Sequence, residues 1–261
     1  MKIVRFQHDA TVAYGILGAK EIELLAGSPF DQIQRANRTL RLEDVQLLAP
    51  VSPPNVLALG LNYRQHAMES KLPLPEHPLL FLKATTSVIG PEAPILLPKI
   101  APHEVDYEAE LCLIIGRTAR QVSEGDALSH VFGYTCGNDV SARDCQLKLD
   151  AQWARGKSFD SFCPLGPWIE TELDPDHVAI SLRLNGRTMQ ESNTSDLIFP
   201  CARIVSFLSH CLTLLPGTVI MTGTPAGVGF ARRPPVFLKA GDVVEVDVAG
   251  LGVLRNPVAV G

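Results

Sequence analysis

The residues best suited to chemistry begin with two glutamates, Glu108 and Glu110, inside the run Asp106-Tyr107-Glu108-Ala109-Glu110-Leu111-Cys112-Leu113-Ile114-Ile115. In an extended strand, positions i and i+2 share a face. Both carboxylates then point one way, and Tyr107, Ala109, Leu111 and Leu113 the other. Two like charges this close raise each other's energy, and burying them uncompensated costs on the order of several kcal/mol. A divalent cation relieves that cost, since hard carboxylate oxygens on a rigid strand suit Mg²⁺ or Mn²⁺. The alternative is a half-buried strand with both glutamates in water, and the run alone leaves the two open.

Four further groupings bear on the choice. In Gly60-Leu61-Asn62-Tyr63-Arg64-Gln65-His66-Ala67-Met68-Glu69, Asn62 is placed to cap a helix, and His66 and Glu69 fall at i and i+3 on one helical face. A carboxylate one turn from an imidazole orients it and raises its basicity, as a general base for water requires; a surface His–Glu pair is the plainer reading. A second segment, residues 132–146, delivers Asp139 at a strand end and presents Arg143 and Gln146 from the following turn. Asp139 would complete a three-carboxylate set with Glu108 and Glu110, leaving open positions for water or a chelating substrate. Arg143 offers a planar fork suited to a substrate carboxylate, unless Arg143-Asp144 is merely an exposed ion pair. Third, Lys157 lies in a small-residue, aromatic-rich turn from which it can aim inward at a developing enolate oxygen. Finally, Met221-Thr222-Gly223-Thr224-Pro225-Ala226-Gly227-Val228-Gly229 offers hydroxyls and backbone N–H groups that can cradle a carboxylate. It lacks the GK[ST] of a phosphate-binding loop.

The elements that must position these groups are mostly strands. After a proline-rich connector at residues 48–54, strands are expected at 56–60, 79–83, 105–116, 132–140, 179–184, 218–222 and 243–248. Helices are few and short, at 63–70, 125–129 and the amphipathic 201–214. Residues 1–50 read as a small N-terminal domain with strands at 2–6, 11–17 and 21–25 and a helix at 30–37, and residues 51–261 as a larger domain that carries all of the groups above. The order lacks βαβα alternation, which favours α+β with a strand-rich core. Apolar residues are 46% of the 261 and charged ones 20%, typical of a soluble globular chain. With a net charge of −5, no basic excess is available for nucleic acid or an anionic membrane. The longest uncharged stretch, residues 204–231, carries a histidine, prolines and glycines and is no membrane span. The six cysteines form no CxxC pair, which fits buried thiols in a reducing cytoplasm.

Taken in order, G-x-N-Y-x-x-H-x-x-E (60–69), F-x-K (81–83), V-D-Y-E-x-E-L (105–111), G-Y-x-x-x-N-D-V-S-A-R-D-x-Q (133–146), K-S-F-D-x-F-x-P-x-G-P (157–167) and T-G-T-P-x-G-V-G (222–229) resemble the fumarylacetoacetate hydrolase family, from about residue 55 to the C-terminus. The resemblance implies a rolled, mixed β-sheet core, a homodimer and a Mg²⁺ or Mn²⁺ site. By position, Glu108, Glu110 and Asp139 match the metal ligands, His66 and Glu69 the catalytic dyad of short acylpyruvase-type members, and Lys157 the active-site lysine. Arg143, Gln146 and Thr224 match substrate-contacting positions.

The implied chemistry is hydrolysis of a 2,4-dioxo acid of the acylpyruvate or fumarylpyruvate type. His66, oriented by Glu69, deprotonates a water that attacks the distal carbonyl; the C3–C4 bond breaks to leave a metal-bound pyruvate enolate. The same enolate serves decarboxylation of an oxaloacetate-type 2-oxo acid and isomerisation of a 2-hydroxymuconate-type acid, both of which stay open. A metal-dependent 2-oxo acid binding module is the non-enzymatic alternative. Segments 70–80 and 185–200 are candidates for a lid over the substrate.

Overall fold

Every residue of the strand Ala109–Ile115 is buried, and the architecture follows from that. The computed structural model, which describes residues 1–261, places this strand inside a long mixed sheet. It lies antiparallel between Val131–Asn138 and Val219–Met221. Side chains alternate across it: Leu111, Leu113 and Ile115 enter the larger core, while Cys112 and Ile114 enter a second core on the opposite face. Buried on both faces, the strand reads as a continuous apolar run, so Glu110 is an exception that needs an explanation.

Outward from the centre, the sheet continues on one side through Val219–Met221 and its parallel neighbour Val56–Gly60 to Leu79–Lys83 at the edge. On the other side it continues through Val131–Asn138 and Cys163–Glu170 to the N-terminal strands. A second sheet contains, in order, Arg187–Asn193, Ala179–Leu184, Val243–Val248, Gly252–Val260 and Ile95–Leu97. Its Leu182, Val244, Val246 and Leu254 share the larger core with Leu111 and Leu113. The α-helices are Arg64–Ser70, Glu124–Ala127, Ala154–Lys157 and Cys201–Cys211, and only the last exceeds two turns. It buries Ile204, Val205 and Leu208 at helical spacing. The fold is α+β and strand-rich, with few short helices.

Residues 1–50 form an antiparallel meander of Lys2–His8, Thr11–Leu17, Glu21–Leu25 and Arg35–Arg41. Val4, Phe6 and Ile22 make a small core of their own, but Ile3 and Leu25 enter the second core of the main body. Backbone pairing is also continuous, with Lys2 opposite Glu170 and Ile3 opposite Ile169. The helix expected at 30–37 does not form. Arg35–Arg41 is a strand with all but Leu40 exposed, so no apolar stripe is available to hold a helix. Its backbone pairs with Glu21–Leu25, and Arg35 ion-pairs with Glu23.

Two other expectations change. The strand expected over 105–116 breaks at Tyr107 and Glu108, giving Val105–Asp106 and Ala109–Ile115. Residues 185–200 are not a lid: Arg187–Asn193 is a strand of the second sheet, with Met189 and Gln190 buried. In segment 70–80, by contrast, Leu72 and Leu74 are exposed. All six cysteines are free and all but Cys211 are buried. No helix is long and apolar enough to cross a membrane.

Candidate active site and metal centre

The break in the strand is where the site begins. Asp106 ends Val105–Asp106 and accepts hydrogen bonds from the backbone N–H groups of Tyr107, Gly229 and Phe230 at 2.8, 2.8 and 3.0 Å. That turns the chain out of the ladder for two residues. Two side-chain amides satisfy the N–H groups thereby freed: Asn138 Oδ1 accepts from Glu108 N and Gln190 Oε1 from Ala109 N, both at 2.9 Å. Asp139 follows the strand Val131–Asn138 and donates its own N–H to Glu108 O at 2.9 Å. Glu108, Glu110 and Asp139 therefore converge from adjacent strands. Their nearest carboxylate oxygens all lie within 4.8 Å of one another, and all three residues are buried. The solvent-facing alternative is excluded, since Glu108 is 6% and Glu110 1% exposed.

Cations compensate part of this charge. Lys83 Nζ donates to Asp139 Oδ1 at 2.5 Å, and Lys157 Nζ to Asp139 Oδ2 at 2.6 Å and Glu108 Oε2 at 2.8 Å. Arg143 donates through Nη2 to Glu108 Oε1 at 2.6 Å and through Nε to Asp106 Oδ2 at 2.9 Å. Three cations thus face four carboxylates, and the unmatched one is Glu110, whose partner is the neutral Gly223 N–H at 2.7 Å. Burial pushes the Glu110 carboxyl well above its usual range, and the Asp139 and Glu108 charges push it further. Glu108 goes the other way: burial alone would raise it, but Lys157 and Arg143 outweigh burial and hold it low. For Lys157, burial opposes the charged form, but Asp139 and Glu108 hold its proton more tightly than usual.

This donor set fits a hard divalent cation. It consists of three buried carboxylates and no thiolate or imidazole ligand, and with Asp106 the four local carboxylates outnumber the three cations by one. Glu108, Glu110 and Asp139 are the residues that would hold Mg²⁺ or Mn²⁺.

The helix Arg64–Ser70 brings the other half of the chemistry. His66 Nδ1 lies 3.2 Å from Glu69 Oε2, and the Glu69 carboxylate is itself held by Gly227 N at 3.0 and 3.1 Å. A carboxylate accepts rather than donates, so in the neutral ring Nδ1 carries the proton and Nε2 is the basic nitrogen. Asn62 does not cap this helix. Its amide accepts from Phe199 N at 2.9 Å and donates to Thr222 O at 2.7 Å, tying two loops together. Asp196 Oδ2 serves the helix start instead, accepting from Gln65 N at 3.0 Å.

A cavity of about 190 Å³ joins the two halves, and His66, Glu108, Arg143, Gln146, Lys157 and Thr224 all line it. Glu69 backs His66, while Glu110 and Asp139 lie behind Glu108. Phe81, Trp153 and Phe230 supply apolar walls; Phe230 lies 4.4 Å from the Arg143 guanidinium. Close packing puts Lys157 in place: a Cβ on Gly156 would sit 2.9 Å from Ala142 O and Gln146 N, so the helix Ala154–Lys157 presses directly on the turn carrying Arg143 and Gln146.

The structure revises two expectations. The Arg143 fork holds Asp106, Glu108 and Gln146 Oε1 (2.8 Å), and Arg143 is buried rather than half of an exposed pair. The glycine-rich loop does cradle carboxylates, but they are the protein's own: Gly223, Gly227 and Gly229 donate to Glu110, Glu69 and Asp106. Lys83, Asp106 and Gln190 were not anticipated. The signal for Lys83 is a lysine ending the apolar run Leu79-Leu80-Phe81-Leu82-Lys83; for Gln190 it is the Asn185-Gly186 turn after 179–184, which folds the chain back into a strand that carries it.

Comparison with known proteins identifies the family. Residues 55–259 match the model of the fumarylacetoacetate (FAA) hydrolase C-terminal family, and residues 1–50 match an Rv2993c-like N-terminal model. The chain is 45% identical over 224 residues to the mitochondrial oxaloacetate tautomerase fahd2 of Xenopus laevis, covering 84% of this chain and 70% of that one. It is 46% identical over 235 residues to the fumarylacetoacetate hydrolase domain-containing protein 2 homolog of Dictyostelium discoideum, covering 85% and 77%. Among solved structures, the 5-carboxymethyl-2-hydroxymuconate delta-isomerase of Mycobacterium smegmatis superposes with a TM-score of 0.91 at 42% identity, over the full length of both chains.

Proposed function

The chain belongs to the fumarylacetoacetate hydrolase family, and we propose that within it this enzyme moves a proton in a short 2-oxo dicarboxylic acid, as a keto–enol tautomerase or isomerase of the oxaloacetate type. One observation carries the reading: His66, held at Nδ1 by Glu69, lines the same cavity as Glu108, Arg143, Gln146 and Lys157. A proton-transfer base thus shares a small space with a dense set of cationic donors. At about 190 Å³ the cavity is smaller than the roughly 300–1,000 Å³ typical of drug-sized ligands, and it suits a compact acid better than one with a long acyl tail.

The proposed chemistry is balanced without a co-reactant. His66 Nε2 takes the proton from C3. The C–H electron pair becomes the C2–C3 double bond, and the carbonyl pair moves onto the C2 oxygen, which takes up the proton that His66 gives back, directly or through a water, so the base is regenerated. A divalent cation held by Glu108, Glu110 and Asp139 would supply Lewis-acid stabilisation of that oxygen. Lys157 spends two of its three N–H bonds on Asp139 and Glu108, leaving one for the substrate. Glu69 keeps the imidazole in the tautomer that accepts a proton.

Hydrolysis of a 2,4-dioxo acid is the second reading, favoured by the dyad itself, since the same Nε2 would deprotonate a water. Two of the relatives above, an oxaloacetate tautomerase and an isomerase, favour the first. Oxaloacetate in D₂O with Mg²⁺, followed by NMR and ultraviolet absorbance before and after EDTA, separates them. Metal-dependent enol–keto interconversion with deuterium entering C3 and no pyruvate supports the tautomerase. Pyruvate released from a diketo acid, with no effect on oxaloacetate, refutes it in favour of the hydrolase.

A further inference from the structure

Gln190 stands outside the cavity, yet it joins the backbone between the two glutamates to the loop carrying Thr224. It is 1% exposed, on the edge strand Arg187–Asn193 of the second sheet. Its Oε1 accepts from Ala109 N at 2.9 Å, between the two strand glutamates. Its Nε2 donates to Thr224 Oγ1 and to Pro225 O, both at 2.8 Å. The amide orientation is forced, because Ala109 N–H can only donate and Pro225 O can only accept. Nε2 must therefore face Thr224, so the hydroxyl there acts as an acceptor. A hydroxyl that accepts from one side still holds its own proton, and Thr224 donates to no protein group. Thr224 lines the cavity.

We infer that Gln190 is a positioning residue: by occupying a lone pair of Thr224, it turns the hydroxyl proton toward the substrate and makes Thr224 a dedicated donor to an anionic oxygen. A hydroxyl free to rotate could serve a donor or an acceptor ligand; one fixed in this way selects carboxylate or enolate oxygen over hydroxyl or amide N–H. The inference rests on the functional reading above and deepens its substrate specificity. The neighbouring backbone supports the same alignment. Gly227, at φ 104°, would place a Cβ 2.2 Å from Met189 O, so the loop carrying Thr224 lies directly against the Gln190 strand.

The test uses oxalate, a compact planar dianion resembling the enolate of a 2-oxo acid, titrated calorimetrically into the Mg²⁺-loaded protein. Gln190→Glu keeps the shape and the acceptor for Ala109 N but presents a carboxylate to Thr224, drawing the hydroxyl proton away from the cavity. Loss of a hydrogen bond to a charged oxygen predicts binding weakened about 10–100-fold. Thr224→Val is expected to lose a similar factor. The double variant should be no weaker than the weaker single, because both act through one proton. Repulsion between a new carboxylate and oxalate would instead persist in the Thr224→Val background, and multiplied losses there overturn the inference. The Mg²⁺-dependent rise in Tm should survive in all three variants, and kcat/KM for turnover should fall in step with oxalate affinity. Where Gln190→Glu does not fold, Thr224→Ser against Thr224→Val decides: equal oxalate affinity in the two overturns the proposal. Wild-type protein that binds Mg²⁺ but neither binds oxalate nor turns over a 2-oxo acid overturns the functional reading itself.

Discussion

Lys83→Met offers the sharpest test of the charge arrangement. The Lys83 side chain is fully buried, and its Nζ lies 2.5 Å from Asp139 Oδ1. Methionine keeps the length and apolar stem but removes the charge, leaving Lys157 and Arg143 to face Glu108, Glu110, Asp139 and Asp106. Removing one partner of a buried ion pair costs about 3–5 kcal/mol. At about 2–4 °C per kcal/mol for chains near this size, Tm in EDTA should fall by about 6–20 °C. A divalent cation replaces exactly the missing type of interaction, so the variant should recover more than the wild type does on adding Mg²⁺. Saturation at a hundredfold excess over Kd is worth about 2.7 kcal/mol for one site, and the more negative variant site should reach that level at lower Mg²⁺. Thermal melts in EDTA and across a Mg²⁺ series measure both quantities. A variant melting within about 2 °C of wild type in EDTA, or gaining less from Mg²⁺, would refute the idea that Lys83 and the cation compensate the same carboxylates.

Other perturbations separate the parts of the site. Glu110→Gln removes the one carboxylate without a cationic partner; the metal-free protein should hold or gain stability while the Mg²⁺-dependent Tm rise disappears, as melts with and without EDTA will report. The same residue sets a pH dependence. Its folded pKa is raised above 4.5, so the folded state binds more protons, and stability in EDTA should fall as pH rises from about 4.5 through that raised value. Glu108, held low, contributes stability that is present above 4.5 and lost in more acidic solution; a pH series in which Glu110→Gln keeps the wild-type slope above 4.5 contradicts the assignment. His66→Ala should lower kcat by about 10²–10⁴-fold while leaving the Mg²⁺-dependent Tm rise intact. Gly227→Ala should cost at least about 1–3 kcal/mol in denaturant unfolding and lower kcat, because the positive-φ loop that holds Glu69 must move off Met189.

Much of the site was legible from local pattern. His66 and Glu69 sit three apart in a short helix, so the helix period alone placed them on one face; Glu108 and Glu110, two apart in an apolar run, were legible as a pair, although Glu108 lies in the break just before the strand. The fold class followed from the same periodicities, and strands 56–60, 79–83, 179–184 and 243–248 form at the expected positions. Where the pattern misled, strand pairing had decided the local structure. Residues 35–41 became a strand by pairing with Glu21–Leu25, and 187–193 by folding back on Ala179–Leu184 across the tight Asn185-Gly186 turn. Cys163–Glu170 passes for a proline- and glycine-rich turn until Val131–Asn138 is laid beside it.

The sequence by itself determined which groups are available: three carboxylates suited to a hard cation, a histidine with its orienting glutamate, and a lysine and arginine nearby, all within a chain patterned for strands. Their net interaction was decided only in three dimensions. Lys83 neutralises Asp139 across 56 positions, Lys157 reaches Glu108 across 49, and Gln190 meets Thr224 and Ala109 from another sheet. Whether a buried carboxylate is tolerated depends on the donors and charges within a few ångströms of it. Propensity and periodicity act over a few residues and carry no information about which remote donors will stand there.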